Sequence, residues 1–126
     1  MAGGIERRKY KRVDVSFIAT YKVLEPVSAR VIFEERDVYT KLYDLSEGGI
    51  AISADYRIPP SSVLSLRFTL IDALSYKTEG RFRPMNMTGE VVYSVELGSL
   101  EYRSGVCFKS INEEDRLSIA DFTARR

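Results

Sequence analysis

Two short clusters carry residue types able to hold a charged, hydrogen-bonding ligand. Arg7, Arg8, Lys9, Lys11 and Arg12 crowd the beginning of the chain around Tyr10, and Asp44-Leu45-Ser46-Glu47-Gly48-Gly49 follows further along. An arginine guanidinium can fork onto phosphate oxygens or onto the O6 and N7 acceptors of a guanine. An ionised aspartate only accepts, as guanine's N1–H and 2-amino group require. The two clusters are therefore complementary to one phosphorylated guanine ligand. In this assignment Arg8 and Arg12 take phosphates and guanine acceptor edges, where a planar fork outperforms a lysine's point charge. Asp44 accepts from the base and Ser46 adds a hydroxyl contact. Gly49, with Gly48 sharing the role, leaves room for backbone approach where a Cβ would clash.

Other chemistry is narrowed by what the chain lacks. It has no histidine and one cysteine, Cys107. Ser–His and Cys–His pairs, imidazole metal sites and an internal disulfide are excluded. Ser46 has no histidine base, and its surroundings do not match a nucleophile elbow. Cys107 lies between Val106 and Phe108, which favours a packed, buried thiol. The acidic pairs Glu34-Glu35 and Glu113-Glu114 lack the spacing of a calcium loop. No enzyme activity, metal or cofactor is expected.

At 126 residues, 44% hydrophobic and 29% charged, the chain suits one globular domain. No apolar run approaches the roughly 20 residues of a membrane span, and the opening Met1-Ala2-Gly3-Gly4-Ile5 has no secretory apolar stretch. The expectation is a cytoplasmic protein without membrane insertion. The net charge of +1 is unevenly placed: residues 1 to 12 hold five Lys/Arg and one Asp/Glu, leaving 14 against 17 beyond them. This pattern favours a compact anionic ligand over DNA or RNA.

The elements that must position these clusters are mostly strands. Residues 1 to 12 read as a flexible basic arm, without apolar periodicity, ahead of a folded unit over 13 to 126. Val13, Val15, Phe17, Ala19, Tyr21 and Val23 alternate as in a half-buried strand that Glu25-Pro26 interrupts. Residues 29 to 36 fit either a short strand or a loop. Strands over 37–45 and 49–54 form a hairpin whose turn is the Asp-Ser-Gly segment, since Asp and Ser bond nearby amides and Gly tolerates positive φ. Ile58-Pro59-Pro60-Ser61-Ser62 is a turn before a strand built on Val63, Leu64, Leu66, Phe68 and Leu70. Three further strands are expected over 77–83, 87–96 and 101–108, with Leu97-Gly98-Ser99 as the last turn. Asn112 caps a helix of about residues 113–123, with Glu113, Glu114 and Asp115 in its positive first turn. Leu117, Ala120 and Ala124 share a face expected to cover an open edge of the sheet, with Ile119 and Phe122 beside it. Many strands at short spacing indicate a barrel or a sandwich.

Taken together, Arg8 and Arg12 four residues apart, then Asp44, Ser46 and Gly49 in an Asp-x-Ser-x-x-Gly frame, resemble the PilZ family of bacterial cyclic di-GMP receptors. Glu6-Arg7-Arg8, Gly49-Ile50-Ala51-Ile52 and Gly105-Val106-Cys107-Phe108 before a terminal helix extend the likeness over nearly the whole chain. The interval from Arg12 to Asp44 is slightly long for the family. The resemblance implies a mainly β fold, a six-stranded antiparallel β-barrel with a C-terminal α-helix, and an arginine segment wrapping over the mouth beside the hairpin turn. It implies cyclic di-GMP as ligand. An arginine at the position of Arg7 accompanies an intercalated ligand dimer in the family, so two ligands per chain are expected. Binding would order the arm, which a bacterial effector protein in motility, adhesion, biofilm or exopolysaccharide output would read. The alternative is a PilZ-like interaction scaffold that does not depend on nucleotide.

Overall fold

The computed structural model describes residues 10–26, 37–74 and 81–126. Among these residues, seven strands precede one helix. They are β1 (Val13–Asp14), β2 (Ile18–Glu25), β3 (Val38–Ser46), β4 (Gly49–Ala54), β5 (Val63–Ile71), β6 (Phe82–Gly98) and β7 (Glu101–Ile111), followed by α1 (Glu113–Ala124). All pairings are antiparallel. Going round, β3 pairs with β2, β2 with β5, β5 with β6, β6 with β7, β7 with β4, and β4 with β3 again. Six strands thus close a ring, with β1 paired to the outer reach of β3. Closure leaves no long strand edge around the circuit itself.

The alternation expected for the first strand is present, with Ala19, Tyr21 and Val23 buried inside the ring. The strand itself is divided into β1 and β2. The intervening residues still bond to β3, through Val15 N–H to the Tyr43 carbonyl and the Leu42 N–H to the Phe17 carbonyl. Leu42, Leu45, Ile50, Ile52, Leu64, Leu66, Leu70, Met85 and Val91 complete an aliphatic interior. Burying such side chains supplies on the order of 2 kcal/mol each, the main force holding the ring together.

The sixth strand and the last turn also differ from the sequence reading. A strand at 77–83 separate from one at 87–96 is replaced by the continuous β6, whose residues 82–90 pair with β5 and 87–98 with β7. Pro84 does not break it, because at that point β6 has a neighbour only on the β5 side. The part of the expected strand at 77–80, and the ambiguous segment 29–36, lie outside the described residues. The last turn is also displaced, from 97–99 to Ser99-Leu100, with Leu100 at a positive φ of 56°.

The helix starts where its cap was expected: the Asn112 side chain accepts from Asp115 N–H at 2.8 Å. Its buried face is Asp115, Ile119, Phe122 and Thr123, while Leu117 is exposed. The face built on Leu117 and Ala124 is therefore the wrong one. Phe122 meets Phe17 with ring centroids 5.9 Å apart, and Phe17 stacks on Phe68. Ion pairs anchor both ends of the helix. Near the start, Arg83 bonds buried Asp115 at 2.8 Å; at the finish, buried Asp72 pairs with Arg125 and Arg126.

Candidate functional site

The β3–β4 hairpin carries the Asp-Ser-Gly segment at its tip, in the register Asp44 opposite Ala51 and Ser46 opposite Gly49. The Ser46 hydroxyl oxygen accepts from the Gly48 and Gly49 N–H groups, each at 3.2 Å, so it caps its own turn. The Gly48 carbonyl accepts from Phe108 N–H of β7 at 2.9 Å. Glu47 is ion-paired with Arg116 of α1, which also holds Glu113. The turn is thus tied to the ring on one side and to the helix on the other.

The glycines have different neighbours. A Cβ on Gly49 would lie 2.1 Å from the Val106 carbonyl oxygen of β7, so the space is taken by a strand backbone. A Cβ on Gly48 would lie 2.7 Å from Cδ2 of Tyr10, whose ring rests against the turn. Neither glycine has a positive φ, contrary to the turn expected from the sequence. Closeness of approach is what both positions require.

Residues 10–12, the described end of the basic arm, lie beside this turn. Tyr10 is half-buried on Gly48, Lys11 donates to the Arg126 carbonyl at the chain's last residue, and Arg12 is exposed. The Arg12 guanidinium has no hydrogen-bond partner among the described residues. Arg7 and Arg8 lie outside the described residues. Between arm and hairpin is an open pocket of about 300 Å³ whose lining includes Tyr10, Arg12, Asp44, Ser46, Gly48 and Gly49. That volume lies at the lower end for small-molecule sites. The rest of the wall comes from Ile50 and Ala51 of β4 and from β6 and β7, including Val92, Tyr93, Gly105 and Cys107.

The floor follows from register. Asp44 is opposite Ala51, Ala51 opposite Gly105, and Gly105 opposite Tyr93, so two small residues separate an acid from an aromatic across four strands. Tyr93 lays its ring on Gly105, where a Cβ would come within 2.0 Å of it. Cys107 is exposed, which corrects the buried packing expected of it. It lies on the outer side of β7 because strand alternation turns it away from Val106, which is 3% exposed and in the core.

Asp44 is 6% exposed and is ion-paired with Arg103 of β7, a residue the sequence reading did not single out. The Arg103 guanidinium also sits 5.2 Å from the Tyr43 ring centroid, and its Nε points at the Tyr93 hydroxyl at 3.5 Å. The hydrogen bond to Tyr93, with the neighbouring Asp44 charge, raises the Arg103 pKa above its ordinary value. The only sequence signal was alternation: Arg103, Gly105 and Cys107 share a face of β7. Nothing in the linear order showed that this face adjoins Asp44. Arg116 was likewise missed, because its partner Glu47 lies in a distant turn.

The family model for the PilZ domain matches residues 6–125, and the chain belongs to that family. No curated protein matches it in sequence. Among solved structures it is similar to the inhibitor of motility MotI/DgrA of Bacillus subtilis, with TM-score 0.72 and 20% identity over 95% of this chain and 51% of that one. It is similar to the MrkH–c-di-GMP complex of K. pneumoniae, with TM-score 0.60 and 13% identity, covering 94% of this chain and 51% of that one. It is also similar to the c-di-GMP-bound PilZ domain of YcgR from Escherichia coli, with TM-score 0.56 and 13% identity, covering 94% of this chain and 90% of that one. The chain thus spans about half the length of the first two proteins and most of the third.

Proposed function

We propose that this chain is a cyclic di-GMP receptor that acts by binding and conformational change, without chemistry. The observation that carries this reading is that Arg12 of the arm and Asp44 of the hairpin, far apart in sequence, line one pocket. Arg12 offers an unengaged guanidinium to a phosphate, and Asp44 an acceptor to a guanine. Family membership and two similar structures, each with c-di-GMP, support the choice of ligand.

In this proposal Arg8 joins Arg12 over the phosphates, and Arg7 favours an intercalated pair of ligands. Ser46 and Gly49 hold the turn, and Gly48 keeps its surface flat under Tyr10 and ligand. Binding draws residues 1 to 12 against the ring, creating a surface for a bacterial effector protein in motility, adhesion or exopolysaccharide output. The pocket holds part of one such ligand, and the arm completes the enclosure.

Calorimetric titration with cyclic di-GMP, with GTP as competitor, tests this. The expected result is saturable binding by the wild-type chain at two ligands per chain, lost in Arg12→Ala and Asp44→Asn. Absence of wild-type binding refutes the receptor and leaves a nucleotide-independent scaffold. Saturation at one ligand refutes only the intercalated pair.

A further inference from the structure

We infer that Arg103 is a guanine-reading residue that holds Asp44 while the pocket is empty and turns to the base when the pocket fills. The inference rests on the cyclic di-GMP reading and adds to it a residue from outside the two motif clusters. Asp44 is nearly buried, and in the β1–β3 ladder it lies directly opposite Asp14. A buried carboxylate facing another acid needs a cation, and Arg103 supplies it. The carboxylate proposed to accept from guanine is therefore already engaged, and ligand binding must involve this ion pair.

Arg103 is placed for such an exchange. Its side chain retains 32% of its exposure, whereas Asp44 retains 8%. Both residues it bonds, Asp44 and Tyr93, line the pocket, and the Tyr43 ring supports its guanidinium. A guanidinium has five N–H donors, so one rotation of the side chain exchanges a carboxylate for another acceptor pair without leaving donors unused. Guanine offers that pair in O6 and N7. Adenine presents an N6 amino donor where guanine has O6, which opposes the same fork. Released Asp44 accepts from guanine's N1–H and 2-amino group. The two residues then select guanine together, one as donor and one as acceptor.

The test is titration of the wild-type chain and Arg103→Lys with cyclic di-GMP and cyclic di-AMP, alongside thermal unfolding of both without ligand. Lysine keeps a cation beside Asp44 but cannot present a planar fork. The expected result is an unfolding temperature near wild type, cyclic di-GMP affinity reduced roughly tenfold, and a smaller preference over cyclic di-AMP. Wild-type affinity and wild-type base preference in Arg103→Lys overturn the inference while leaving the receptor intact. Failure of the wild-type chain to bind cyclic di-GMP overturns the receptor reading and this inference with it. If Arg103→Lys is poorly folded, Arg103→Gln, whose amide still donates to Asp44, undergoes the same titrations with the same two outcomes.

Discussion

Replacing Gly49 by alanine separates what the hairpin turn needs for folding from what it needs for a ligand. The added Cβ would stand 2.1 Å from the Val106 carbonyl oxygen, where real contacts do not fall below 3.0 Å, so β4 and β7 must part by at least the 0.9 Å difference. The obstacle is backbone in a closed ring, so no side-chain rotation relieves it. Overpacking of this kind costs about 3 kcal/mol, the upper part of its usual range. For a chain of this size that lowers the Tm by about 10 °C. Gly48→Ala is the internal control: its Cβ meets only the Tyr10 ring, at 2.7 Å, and the ring can swing aside. Its cost is expected below about 1 kcal/mol. Thermal unfolding followed by circular dichroism measures both, and cyclic di-GMP titration follows on whichever variants are folded at the assay temperature. A Gly49→Ala protein that unfolds with wild-type Tm yet has lost binding would refute the strand-packing argument and return this position to ligand approach.

Other outcomes are equally specific. Asp72→Asn removes the buried carboxylate shared by Arg125 and Arg126, leaving Arg125 with the exposed Asp121 alone; urea denaturation should show a loss of about 3 kcal/mol, and a loss below about 0.5 kcal/mol would mean that this cluster does not anchor the helix. Burial, followed by the hydrogen bond to Tyr56, pushes the Tyr21 pKa up. Because the folded value is the raised one, the associated stability is intact below the unfolded tyrosine's pKa of about 10 and is lost as pH climbs above it. Tyr21→Phe should flatten the alkaline fall in the urea midpoint while costing about 1 kcal/mol at neutral pH through the lost Tyr56 bond. An unchanged alkaline slope would contradict this. Finally, Cys107 is exposed in the pocket wall, so cyclic di-GMP should slow its alkylation by a maleimide; an unchanged rate under saturating ligand would place the ligand elsewhere.

Local features of the sequence carried much of the fold. The hairpin over residues 38–54 was legible because period-two apolar strands flank a turn whose residues bond one another within a few positions. The helix start was legible because Asn112 and three acids sit together. What failed depended on partners distant in sequence. Leu117 is as apolar as Ile119, and it is the docking of the helix on the ring, with Phe122 against Phe17 and ion pairs at both ends, that buries one and exposes the other. Residues 77–83 and 87–96 read as two strands, but β6 runs on through Pro84, where β5 is its neighbour and β7 joins only from Met87 onward. In the site, Arg12, Asp44 and Ser46 were legible as a constellation and do meet at one pocket. Arg103 was not, since its ion pair with Asp44 spans 59 residues and depends on β4 lying between β3 and β7.

The hairpin of β3 and β4, whose tip bears Ser46 and Gly49 and whose strand bears Asp44, is itself one of the six pairings of the ring. The candidate site is therefore built on a hairpin that the ring needs for its own integrity. Ser46 must cap the turn and Gly49 must admit β7 for that circuit to hold, whether or not a nucleotide ever arrives. A related barrel that had abandoned its ligand would still be under pressure to keep those two residues, and would be free to lose Arg12. Among such barrels, the arm rather than the turn is the better witness to whether a messenger is heard.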